Sequence, residues 1–494
     1  MSSISADATT QDEALNPYVW RIAPVVVLGT IMSILDTTIV NVALDTLGRE
    51  LHAGLSSIQW VVTGYMLSLA AVIPISGWAA RRFGAKYVWL FSVLMFTLGS
   101  MLCGIATSTT ELIVFRVLQG VGGGMIMPVG QMMMASAAGP KNMGKITAIT
   151  GVPAMLAPIL GPTIGGAILQ VTTWRWIFFV NVPIGVIAIV AGLRVIHRSQ
   201  RTRTEPLDYV GLVLMALGMP LLTYGLAEIG TVGTFASARV IVPVVAGLAL
   251  IAAFIWHALG ARRPLLQLHL YRRPTFSTAS LAMFLVGAAM FGSMILFPLY
   301  WQQIRHQSVI DTGLLSAPQG IGMALVMPFA GKLTDRHGGG ALALMGVILT
   351  TVFTLPLALV GAHTAIPYLM AMMFLRGIGI AFSFVPTMTA AFASLKHSEI
   401  SDATPQLNVL QRVGGSIGTA ILAVVLQRTA GHAHTLAQAA AGFGTAFWWA
   451  LGMTAFAVIP CVLLLISERR IRRSGQADME HVALDAGAVA EALA

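Results

Sequence analysis

Fourteen apolar runs, each long enough to cross a bilayer, follow one another along this chain. They fall at about residues 22–44, 57–76, 87–106, 111–134, 144–170, 176–196, 207–228, 240–258, 276–300, 312–331, 341–361, 365–390, 406–427 and 444–466. A helix needs roughly 20 mostly apolar residues to span the hydrocarbon. In lipid its backbone polar groups must be satisfied within the segment, which leaves helices as the spanning form for runs of this length. The expected fold is therefore an all-α polytopic membrane protein. Composition agrees: 10% of the 494 residues are charged, against roughly 25% in soluble domains.

The loops carry the orientation. If the N-terminus lies inside, the inside segments hold 21 Lys and Arg and the outside segments five. Cytoplasmic loops carry that excess, so both termini are expected in the cytoplasm of a cell-membrane protein. The net charge of +10 sits in these short clusters, which argues against nucleic acid as a partner. Cys103 and Cys461 lie far apart inside apolar runs and predict neither a disulfide nor a metal site.

Three arginines (Arg116, Arg376 and Arg412) and one acid, Asp36, lie well inside spans. A carboxylate at hydrocarbon depth costs roughly 2.5–3.5 kcal/mol and normally has a partner or a job. Asp36 lies about two turns below the outer surface and Arg116 a little over one, at about 1.5 Å per residue. An arginine side chain spans that difference. The pair is either a structural ion pair or a proton switch, in which protonation of Asp36 releases Arg116 and biases a conformational change.

Helical spacing puts Arg116, Gly120, Gly123, Met127 and Gln131 on one face of the fourth span, where glycines admit a neighbouring helix or a ligand. The fifth span holds Gly151, Pro153, Pro158, Gly161, Pro162 and Gly165. Three missing N–H donors predict a bend, and the glycine face suits a rocking interface between two bundles.

The chain also repeats itself. Residues 77–84, with Gly77, Arg81, Arg82 and Gly84, are echoed by residues 331–338, with Gly331, Asp335, Arg336 and Gly338. Arg116 is echoed by Arg376. Such repeats are a transporter signature. They predict a tail at 1–21, a six-helix bundle at 22–200, a linker with two accessory spans at 201–275, a second bundle at 276–466 and a tail at 467–494.

Other matches fail on context. Residues 139–147 resemble a phosphate-binding loop, but Ile146 stands where Ser or Thr is needed. Gly414–Ser416–Gly418 lies within a helix with no acid and His to complete a triad. His432 and His434 lack further ligands. No enzyme, metal or cofactor is expected, and with no ATPase element uphill transport would draw on an ion gradient.

With these residues the chain resembles the major facilitator superfamily, specifically its fourteen-span drug:proton antiporters of the EmrB/QacA type. The likeness is carried by residues 35–44 with Asp36 and Asn41, by 77–86 ending at Lys86, by 116–124, by 151–166 and by the run 174–183. It implies two pseudo-symmetric six-helix bundles plus two accessory helices, working by alternating access. It implies proton-driven export of small amphipathic compounds, lipophilic or cationic, by a monomer in the bilayer, with Asp36 and Arg116 in the coupling role. Arg81 to Lys86 would form part of a cytoplasmic latch. One departure is Arg81, where the family's loop motif usually has an acid; the second copy keeps Asp335, which predicts that latching rests more on that copy.

Asn41, Gln119, Met127, Arg376 and Arg412 are left as substrate-contacting or structural. Arg376 has no intramembrane carboxylate once Asp36 is taken. It would either meet an anionic lipid, siderophore or secreted metabolite, or bond backbone carbonyls. A transporter-like receptor or scaffold is a further reading, without a soluble signalling domain to support it.

Overall fold

The computed structural model describes residues 17–138, 142–197, 206–393, 395–396, 399–431 and 433–470. The expected tails, apart from their span-proximal residues, lie outside these residues, as do Lys141, His432 and much of the basic linker at 198–205. Thirteen described helices are long and apolar enough to cross a membrane. A further helix, Met143–Val171, stands where the fifth run was expected.

In the first half, α1 (Pro17–Glu50) is followed by α2 (Leu55–Val72), which runs through a 3-10 turn into α3 (Ser76–Phe83). Then come α4 (Ala85–Ile105), α5 (Thr109–Ala138), α6 (Met143–Val171), short α7 (Trp176–Phe179) and α8 (Asn181–Val195). The accessory pair is α9 (Tyr209–Val232) and α10 (Ala238–Gly260). The second half holds α11 (Pro274–Leu299), α12 (Val309–His337), α13 (Gly339–Ala358), α14 (Ile366–Ala393), α15 (Ile400–Ala430) and α16 (Leu436–Phe456).

The repeat is visible in the backbone. Gly84 closes α3 with φ 91° and Gly338 closes α12 with φ 90°. Only glycine enters that region without a Cβ penalty. Both N–H groups bond back four residues, to Ala80 and Thr334, so the same turn reverses the chain in each half. Lys86 donates to the carbonyls of Leu193 (2.9 Å) and Ile196 (2.5 Å). It therefore caps the end of α8, where a cation complements the helix dipole, rather than reaching across the halves.

The accessory pair lies on a seam. Leu222, Leu226 and Ile229 of α9 pack with Ala420 and Val424 of α15, while Tyr224 stacks on Trp60 of α2 at 5.6 Å. Asp208 caps α9 through Gly211 N–H and also accepts from His257 (2.8 Å) and Leu265 N–H (3.0 Å), clasping the pair together.

The end of the bundle that carries the basic loops is where polar contacts tie the halves together. Arg81 bonds Asp402, with Ser401 at 3.3 Å. Asp335 accepts from the N–H groups of Gly144 (2.8 Å) and Lys145 (3.1 Å). Gly144 and Gly331 meet backbone to backbone, and Gly77 lies on the Ser401 carbonyl. Asn408 donates to Gln131 at 2.9 Å. Both copies of the loop motif therefore pair, which corrects the expectation that latching leans on the second. The acid absent at position 81 reappears across the seam as Asp402 in the first turn of α15, where the helix dipole favours it. Nearby, burial works against the Glu399 carboxylate, but the Lys396 N–H and Arg273 hold it below the usual carboxylate range.

A charge swap checks the reversed pair. Arg81→Asp sets two acids together and is expected to slow transport several-fold, and Arg81→Asp/Asp402→Arg to recover most of it. Failure of the double variant to recover would remove this pair from closure.

The α6 expectation changes. The helix is continuous through its prolines, and the side chains of Pro158 and Pro162 lie outside the described residues. Gly161 and Gly165 face Thr38 and Ile39 of α1, within the same half, rather than the seam. The cross-half stripe of α6 is instead Gly144, Gly151 on Met327, and Gly166 on Ile310. Its spacing of 7 and 15 residues keeps those positions on another face of the 3.6-residue helix. The second half repeats the intra-half arrangement, with Gly414 and Gly418 on Phe284 and Ala288 of α11.

Candidate functional site: a sealed ion pair

Asp36 and Arg116 are both fully buried. One terminal nitrogen of Arg116 donates to Asp36 Oδ2 at 2.5 Å and to Gln119 Oε1 at 2.8 Å, and its Nε donates to the Val61 carbonyl at 3.0 Å. The guanidinium lies 4.1 Å from the centre of the Tyr65 ring, a cation–π contact that counts for more once desolvated. Asp36 Oδ1 accepts from Gln119 Nε2 at 2.9 Å and from Asn181 Nδ2 at 3.0 Å. Asn181 also donates to Ser100 at 3.0 Å.

Local structure explains the fit. Residue 119 is one turn on from 116, so one face of α5 presents both the cation and an amide. Gly120 and Gly123 leave the room that Tyr65 occupies, so this glycine face admits α2. Asn181 is the first residue of α8 and reaches inward beside Ser100 of α4.

Sequence reasoning named Asp36, Arg116 and Gln119 but missed Tyr65, Ser100 and Asn181. Asn181 had a usable signal: it is a polar residue in the apolar run 176–196, the same test that singled out Asp36. Asn41 is exposed and outside the cluster. Met127 and Arg412 are half-buried and outside this cluster.

Among the described residues Arg376 binds neither backbone carbonyls nor an acid. Its Nε donates to Thr354 (3.0 Å) and its terminal nitrogens to Gln319 (2.7 Å) and Ser293 (2.5 Å). It is 1% exposed. The adjacent void of about 10 Å³ is at most water-sized, so no cargo reaches Arg376 in this state. A larger apolar groove of about 440 Å³, lined by Phe284, Ile417, Trp448 and Trp449 among others, lies away from this site. No group of acids, His or Cys among the described residues could hold a metal.

Two six-helix halves tied by polar contacts at the basic end, with a charge pair cut off from water inside the first half, are the build of a transporter and not of an enzyme. The chain belongs to the Major Facilitator Superfamily, whose family model matches residues 26–419. It is 39% identical over 422 residues to the Multidrug resistance protein B homolog of Mycobacterium tuberculosis strain H37Rv, covering 85% of this chain and 78% of that one. It is 31% identical over 402 residues to Multidrug export protein EmrB of Escherichia coli K12, covering 80% and 77%. Its fold is that of the proton:xylose symporter XylE, with a TM-score of 0.60 at 13% identity over 90% of this chain and 94% of that one. The human organic anion transporter MFSD10 gives 0.64 at 14% identity over 91% and 100%. This is a multi-pass membrane transporter of the EmrB/QacA type.

Proposed function

We propose that the protein exports amphipathic drugs and similar compounds across the cell membrane in exchange for protons, by alternating access of its two halves. The observation that carries this reading is the ligand set of Asp36, a dry carboxylate held by donors from α5 and α8. Ionised, it ties α1 to both helices. Protonated, it loses the charge that holds Arg116, and the ties to Gln119 and Asn181 weaken with it. One proton therefore alters the packing of three helices, the bistable element that a coupled transporter needs.

The basic end is cytoplasmic on the positive-inside rule, so closure there corresponds to an outward-facing arrangement. In the cycle, Asp36 takes a proton from outside as cargo leaves. The halves rock, Asp36 gives the proton to the cytosol, and the ionised site re-forms as new cargo enters. The relatives named as multidrug resistance and export proteins support the cargo class.

The test is drug-driven proton flux. Everted vesicles carrying the protein and an imposed pH gradient should lose that gradient faster when a candidate cargo, such as the cation ethidium or an amphipathic sulfonate, is one that the protein exports. Protein-dependent transport of those compounds without any proton flux would overturn the coupling.

A further inference from the structure

We propose that the cargo carries an anionic headgroup and that Arg412 receives it. This rests on the exporter reading but not on proton coupling. Arg412 lies about 18 Å along α15 from Ile400, in the middle of the hydrocarbon. It is one turn beyond Asn408, whose amide meets Gln131 of α5 across the seam. That step keeps Arg412 on the face of α15 that looks at the other half. The same step on antiparallel α5 reaches half-buried Met127.

Below this level polar ties join the halves, through Asn408–Gln131 and Arg81–Asp402; above it they touch through apolar contacts such as Gly166 on Ile310. Arg412, only half-buried, thus stands just above the polar ties of the closed end.

Its surroundings lack a counter-charge. Among the described residues Arg412 has neither a carboxylate partner nor a hydrogen-bond acceptor. Deep in the spans three arginines face one aspartate, and that aspartate is already held by Arg116. Arg376 is caged by neutral oxygens. The interior therefore carries excess positive charge at low dielectric, which attracts an anion and repels a cation. A planar guanidinium fits a carboxylate, sulfonate or phosphate in two-point geometry. Met127 offers an adaptable apolar contact for the remainder of an amphipathic molecule.

The experiment uses full-length protein in phosphatidylcholine nanodiscs at constant pH with no gradient. Three fluorescent probes share one tail: dansylaminoundecanoate, its methyl ester, and the matching trimethylammonium. Wild type is expected to bind the carboxylate about ten-fold or more tighter than the ammonium, the factor a charge-assisted hydrogen bond contributes. Arg412→Ala should lose that preference while keeping the affinity for the ester, which shows the cleft intact. Arg412→Lys should keep part of it and Arg412→Glu should reverse it.

Equal binding of the carboxylate and the ammonium by wild type, or an anion preference that survives Arg412→Ala, would overturn the proposal. Added phosphatidylglycerol that competes in wild type and not in Arg412→Ala assigns the position to a lipid headgroup; absence of competition assigns it to a soluble acid. Since no gradient is present, loss of drug-driven proton flux leaves this result untouched.

Discussion

Asp36→Asn is expected to reduce drug-driven proton flux to the level of vesicles without the protein. The amide has the shape of the carboxylate, but its one oxygen can accept either from Arg116 or from Gln119 and Asn181, with its NH2 turned to the other side. It cannot change charge, so no proton event can tighten or release Arg116. Every other coupling group would have to be ionisable and deep, and Asp36 is the one acid in the chain well inside a span. Gradient-free counterflow of a transported dye should survive better than coupled flux, because rocking does not require net proton movement. Drug-driven flux in Asp36→Asn at the wild-type rate, normalised to folded protein in the membrane, would remove Asp36 from the coupling role.

Arg116→Met is expected to be the most destabilising single change in the site. It leaves an ionised carboxylate with 0% exposure facing two amides and no cation. Removing one member of a buried pair costs about 3–5 kcal/mol, because the other charge stays desolvated and unpaired. Asp36→Asn/Arg116→Met removes both charges at similar volume, and such neutral replacements are often no less stable than the pair. The double variant should therefore recover most of the melting temperature lost by Arg116→Met, while remaining inactive in coupled transport. A double variant as unstable as the single one would mean that the loss comes from packing against Tyr65 and Phe178. Arg116→Lys is not a neutral control, since an ammonium lacks the fork that reaches Asp36, Gln119 and the Val61 carbonyl together.

These two variants probe a pair that was within reach of sequence reasoning, because depth along a helix follows from counting residues. Asn181 was legible in principle, as a polar residue at depth, although its target was not. What surrounds the pair was harder to read. Arg116 and Arg376 look equivalent along the chain, yet one holds an acid and the other Thr354, Gln319 and Ser293. The difference lies with the neighbours, since Ser293 of α11 now stands beside its arginine as Asp36 of α1 does beside Arg116.

Span number, the orientation expected for the termini, the repeat and the lone deep acid were all determined by the chain alone. Each depends on a cost charged residue by residue against depth in the bilayer, and hydropathy records depth directly. Which face of a helix meets which neighbour was decided only by the tertiary structure. Helices apolar on all sides carry little amphipathic signal to set their rotation. That is why Gly161 and Gly165 turned out to face α1 rather than the seam, why Arg81 found Asp402 some 320 residues away, and why Arg376 came to be caged by neutral oxygens.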